Sequence, residues 1–301
     1  MERLRFTLDY TPNANHSGVF AAIHHGWYKE AGIDLELQHR DFQHGGIAKL
    51  ELGIADVAFT AMLVLGSYRK HDSFPIKAIA TAMQNDLSTI AVLAKSGIER
   101  PAQLDGRSYA SCQAGFKNPT VAALIRSDGG QGDLTFTYPE KISSWEALAE
   151  KEADSVWIYR NWQGVQAELA GVDLRHFTLG DYGAPYCYSL VMVANTDYIA
   201  KKASTLRAFL AATAKGYAWA AENPVKMAEI LYEWVAEADK HLTFLKAAQA
   251  ATSPHYISSK TGSWGHMEVE KVNAYLKWRE AQGLETTTVE ADALVTNELL
   301  G

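Results

Sequence analysis

Cysteine is scarce in this chain. Its two, Cys112 and Cys187, match neither a CxxC metal spacing nor a disulfide framework. Basic runs are missing too: 28 Lys and Arg face 35 acidic residues, giving a formal net charge of -7. With no cationic face, nucleic acid is not an expected partner. No apolar run is long enough to span a bilayer. The common nucleotide and hydrolase signatures GxGxxG, GxxxxGK(S/T), GxSxG and HExxH are all absent. The ten histidines offer no metal spacing, because His24 and His25 diverge as neighbours on a predicted helix and His39 and His44 flank a loop. The opening "MERLRFTLDY" reads as a strand at once, so no leader is expected on the chain as given. A cytoplasmic location is expected for the chain as it stands, or a periplasmic or other extracytoplasmic one if a leader was removed.

What remains is an ordinary globular composition, 48% hydrophobic and 21% charged over 301 residues, enough for a large core and favouring a small-molecule ligand. Strand and helix signals alternate along it. "LRFTLDY" and "IDLELQ" alternate apolar and polar residues around "GVFAAIHHGWYKEAG", whose apolar spacing is helical. "HGGIAKLELGIAD", "DVAFT" and "AMLVLGSYRKH" continue as helix, strand and helix, and "PIKAIATAM" and "STIAVLAKSGI" read as strands joined by "QNDL". A second series places strands at "RSYAS", "LTFTYP", "DSVWIY" and "LRHFTL", with helices near 119–127, 143–151 and 162–169. From Ala203 onward the chain reads as helical. The pattern predicts an α/β protein with mostly parallel sheets in two lobes. Lobe I spans 1–88 and 190–301 and lobe II 89–189, with crossings near residues 88 and 190 and a ligand cleft between the lobes.

Three stretches carry candidate chemistry. In "LDYTPNANHSG" a strand ends in turn formers before a helix, and such a turn sits where α/β sheets hold ligands. Asn13 and His16 could face a ligand or merely cap the helix. Pro12 fixes a backbone angle, and Gly18 permits close approach at the helix start. In "SCQAGFKNPT" Gly115, Lys117 and Asn118 could hold an anion at a helix N-terminus, or form an ordinary strand-to-helix turn with Asn118 as cap. The third set is aromatic. Trp157 and Trp162, with Tyr182, Tyr186 and Tyr188, could sandwich a flat heterocycle whose amino groups pair with Asp86 and Asp181, although core packing is the default for Trp157 and Tyr159. Trp264 reads as a packing residue.

The stretches "LDYTPNANHSGVFAAIHHGWYKEAGIDLEL", "WIYRNWQGVQAEL" and "GYAWAAENPVKMAEIL" resemble the NMT1/THI5-like (SsuA/THI5-like) family. That family includes periplasmic formylaminopyrimidine-binding proteins and the fungal thiamine-pyrimidine synthase. The likeness runs from about Arg5 to the C-terminal "TNELL". It implies the two-lobed, type II periplasmic-binding-protein fold and a thiamine-precursor ligand. In the synthase a lysine holds pyridoxal phosphate and a histidine is consumed. Thr60 and Val64 stand at the matching positions here, and Cys187 stands alone where the synthase clusters cysteines. A threonine forms no Schiff base, and valine has no ring nitrogen to give. The resemblance therefore implies a binding protein without a cofactor, Thr60 lying among its site residues. A pyridoxal-phosphate enzyme with His16 as donor is the alternative, and a sulfonate binder a third. An ABC transporter permease is an implied partner only for an exported chain.

Overall fold

The structure is a computed structural model that describes residues 1–40, 43–66, 68, 73–111, 117–140, 144–285 and 289–301. Its strands are β1 (Glu2–Thr7), β2 (Ile33–Gln38), β3 (Val57–Thr60), β4 (Ile76–Thr81), β5 (Ser88–Leu93), β6 (Arg107–Ala110), β7 (Leu134–Thr137), β8 (Ser155–Tyr159), β9 (Leu174–Phe177) and β10 (Val191–Asn195). The chain forms two compact units. The first comprises 1–86, 187–273 and 289–301, and the second 87–186 and 274–288.

In the first unit the strand order is β2-β1-β3-β10-β4. β1 pairs parallel with β2 and β3, while β10 runs antiparallel to both β3 and β4. The second unit repeats the plan as β7-β6-β8-β5-β9, with β5 antiparallel to β8 and β9. Both sheets are therefore mixed, each with one reversed strand among parallel ones. The "VMVAN" segment of β10 is a strand that periodicity did not single out, because all but its last residue are buried and no alternation marks it.

Two local expectations change. The helix over "GVFAAIHHGWYKEAG" is broken: it runs Ser17–His24, Gly26 turns the chain at φ 75°, and a short helix follows at Trp27–Glu30. Residues 274–288 were expected in lobe I, yet they group with the second unit, where Tyr275 packs 5.1 Å from Tyr186. Helical periodicity reports that a face is buried, not which unit buries it. The two main boundaries fall at 86/87 and 186/187.

The first unit's core contains an unusually close helix contact. Helix Ser17–His24 lies against helix Thr196–Glu222, and a Cβ built on Gly216 would stand 1.9 Å from the Gly18 carbonyl oxygen. A Cβ on Gly18 would meet the Tyr217 ring at 2.0 Å. The close approach expected at Gly18 is thus an approach of helix to helix. Nearby, the Tyr28 hydroxyl pairs with Thr213 Oγ1 at 2.8 Å, so polar atoms inside this interface are satisfied. In the second unit Ala91, Ala110, Leu148, Val156 and Ile158 form a core of small and branched residues around β8.

Carboxylates fasten the second unit's loops. Asp105 accepts backbone N–H bonds from Gln131, Gly132 and Asp133, and these hold its carboxyl below the usual carboxylate range. Asp128 is lowered likewise by the guanidinium of Arg100.

Two outcomes are expected. Gly216→Ala gains about 1 kcal/mol of helix propensity, but it forces a methyl against a backbone oxygen that cannot turn away. The clash dominates, and denaturant unfolding should show a net loss of about 1–3 kcal/mol. For Asp105 the folded-state pKa is depressed, so its contribution is present above the unfolded carboxylate pKa of about 4 and is lost as pH falls further. The gap in Tm between the parent and Asp105→Asn should narrow on acidification below about pH 4.

Candidate functional site

The parallel strands of the first unit deliver Thr7, Thr60 and Thr81 to one end of the sheet, and the reversed β10 begins there, with Val191 opposite both Thr60 and Thr81. This carboxyl end carries the turn that follows β1. Asn13 Oδ1 accepts the Asn15 N–H at 2.9 Å and its Nδ2 donates to the Thr11 carbonyl at 2.8 Å, while the Asn13 N–H donates to His16 Nδ1 at 3.3 Å. The two side chains thus make a reciprocal capping box around the 3-10 turn Ala14–His16.

Because Nδ1 accepts, the neutral ring carries its proton on Nε2 and donates it to Asp9 Oδ1 at 2.9 Å. The His16 side chain is 0% exposed and packs among Phe20 and Phe59, whereas that of Asp9 is 30% exposed. His16 spends both nitrogens inside the turn, and the group left open is the Asp9 carboxylate. Sequence reasoning passed over Asp9. The signal was available, since an acid stands two residues past the end of β1, at the entry to the turn.

Buried phenols lock the turn from behind. Tyr217 donates to the Asn15 carbonyl at 2.7 Å and Tyr256 to the Ala14 carbonyl at 2.6 Å, and Gln249 Nε2 donates to the Tyr256 oxygen at 2.9 Å. Burial pushes both phenol pKa values up, so the hydroxyls remain donors. Trp264 stacks on Tyr217 at 4.8 Å and donates to the Ala82 carbonyl, a packing role.

Other predicted residues of this unit lie around the same sheet end. Thr60 closes β3 and is buried. Gln84 and Asn85, which precede Asp86, are tied to the segment around His255 by the Gln84 N–H to the His255 carbonyl and by Asn85 Nδ2 with His255 Nδ1 at 2.9 Å. Tyr188 is fully buried, and its oxygen accepts the Glu268 N–H at 2.8 Å, which makes it a structural strut. Burial pushes the neighbouring Cys187 thiol up to about 12, so it is a poor nucleophile.

The second unit gathers its own set. Lys117 and Asn118 open helix Lys117–Ser127; Lys117 Nζ lies 5.3 Å from the centre of the Trp157 ring, and Ser111 donates to Asn118 Oδ1 at 2.9 Å. Asn118 lies inside the helix rather than at the cap position expected for it. Gly115 falls outside the described residues. Trp157 and Trp162 are 3% and 4% exposed, and Trp162 sits in a π-helical turn, Arg160–Gly164, directly after β8. Their burial fits core packing more than an open stacking face. Asp181, expected as a partner of a ring amine, is exposed and accepts the Thr178 hydroxyl within its own turn. Tyr186 packs on Tyr275, whose hydroxyl meets the buried Arg279.

Among the described residues no cluster of His, Cys, Asp and Glu could hold a metal ion, and no helix is long and apolar enough to cross a membrane.

Comparison with known proteins matches residues 13–227 to the family described as NMT1/THI5 like. A formylaminopyrimidine-binding protein of Halalkalibacterium halodurans is 24% identical, over 97% of this chain and 89% of its own. A protein of Haemophilus influenzae named for thiamine biosynthesis is 22% identical, over 74% of this chain and 70% of its own. Among solved structures, the periplasmic aliphatic sulphonate binding protein SsuA of Escherichia coli aligns with a TM-score of 0.71 at 14% identity, covering 98% of this chain and 92% of that one. The fold is the α/β, two-lobed architecture of periplasmic binding proteins.

Two measurements check the site. Asn13→Ala removes the cap and should lower the unfolding free energy by about 1–2 kcal/mol; a variant as stable as the parent would contradict the capping role. Cys187 should stay unmodified by iodoacetamide at mildly alkaline pH and react once the protein is unfolded, as peptide mass spectrometry can read.

Proposed function

We propose that this chain, which belongs to the NMT1/THI5 like family, is a binding protein for an aminopyrimidine precursor of thiamine, of the formylaminopyrimidine kind. The observation that carries the reading is the turn Asp9–His16, fixed at the carboxyl end of the parallel strands of the first sheet by buried phenols and left with one open carboxylate. Rigid polar groups at that end of a sheet are where α/β proteins hold small ligands. The named relative matched over nearly the full chain supports the ligand class.

A carboxylate also weighs against the sulfonate alternative, because an anionic ligand would meet like charge at Asp9. The synthase alternative has less support still. Thr60 is buried at the end of β3 and Val64 lies in the short helix Met62–Gly66, and neither side chain can hold pyridoxal phosphate or replace a consumed histidine. The single Cys187, with its pKa raised by burial, supplies no cysteine cluster. Work in an extracytoplasmic compartment, beside the permease of an import system, is the setting this reading implies if the chain is exported.

Titration calorimetry with formylaminopyrimidine should show saturable binding at one site per chain. Mass spectrometry of the purified, denatured protein should release a pyrimidine if ligand is carried through. Incubation with pyridoxal phosphate should give no internal-aldimine absorbance; its appearance, with no pyrimidine binding, would overturn the reading in favour of an enzyme.

A further inference from the structure

We infer that Asp9 selects the ligand by accepting a hydrogen bond from a ring amine, and that His16 is the positioning residue that aims it. The inference rests on the aminopyrimidine reading and extends it to the discrimination between an amino group and a carbonyl. Asp9 has one oxygen committed: Oδ1 takes the proton of His16 Nε2 at 2.9 Å. Among the described residues its second oxygen has no protein partner, and the side chain keeps 30% of its surface open.

His16 itself cannot swing away. Its ring is fully buried, its other nitrogen takes the Asn13 N–H, and the carbonyls of Ala14 and Asn15 on either side of the turn are held by Tyr256 and Tyr217. The carboxylate is therefore oriented before any ligand arrives, and binding need not freeze a free rotor. A carboxylate only accepts hydrogen bonds. A ring amine satisfies the open oxygen, while a ring carbonyl in the same place opposes acceptor to acceptor and leaves both unpaired, a loss polar sites use for discrimination.

The probes are formylaminopyrimidine and its oxo analogue, in which a ring carbonyl replaces the ring amine. Calorimetry on the parent should show the amino compound bound roughly 10- to 100-fold more tightly. Asp9→Asn, which presents an amide able to donate, should abolish or reverse that preference. The partly exposed site makes this variant a safe one to fold. His16→Ala should erode the preference as well as lower Tm, and His16→Gln, whose amide can still donate to Asp9, should restore part of the preference. A merely structural His16 would lower Tm in both variants and leave the preference as in the parent. An Asp9→Asn variant with the parent's preference, or a parent that binds both compounds alike, overturns this inference and leaves the binding reading intact. A parent that binds neither compound overturns both.

Discussion

Everything at the candidate site depends on two glycines that let two helices touch. With Gly18 facing Gly216 and the Tyr217 ring, helix Ser17–His24 settles so closely on helix Thr196–Glu222 that a single methyl would collide with backbone. That approach brings the Tyr217 hydroxyl within reach of the Asn15 carbonyl. Residues from opposite ends of the chain thereby fix a turn near its beginning. Ala14, Asn15 and His16 then have their backbone or side-chain groups paired inside the protein, while the carboxylate of Asp9 stays partly open. The polar network is tolerable in a buried place because its members satisfy one another.

The same arrangement separates two kinds of polar residue that look alike in a sequence. Asn13 and His16 are spent on shape, each completing the other's hydrogen bonds in the capping box. Asp9 is spent only in part. This division of labour gives the site rigidity without surrendering its charge, and it accounts for the density of polar side chains in so short a turn. The second unit repeats the sheet plan with a different set at its own carboxyl end, where Lys117 lies over Trp157 and a π-helical turn follows β8. A π-turn of that kind often marks a functional position.

Much of the fold could be read from the sequence because alternation and helical spacing are local. β2, β3 and the four parallel strands of the second unit lie inside the stretches their patterns indicate, and β1 overlaps its own but starts two residues earlier, at Glu2. What stayed hidden depends on partners distant in sequence. β10 carries no alternation because both its faces are covered, and residues 274–288 reveal only by contact with Tyr186 that they belong with the second unit. The site shows the same limit. The turn itself was evident from Pro12, Asn13 and Gly18, but nothing local could tell that His16 would be fully buried and Asp9 left open, since that follows from Phe20 and Phe59 closing over the imidazole. Gly18 likewise served a helix 200 residues away in the chain rather than a ligand.

The account makes the carboxyl end of the first sheet the place where an aminopyrimidine is read. A crystal structure of the protein with formylaminopyrimidine bound tests this most directly. The account predicts the ring amine at hydrogen-bond distance, about 3 Å, from the oxygen of Asp9 that His16 leaves open, with the His16 to Asp9 bond retained. A pyrimidine bound elsewhere, or bound here with Asp9 turned away from its ring amine, would contradict it.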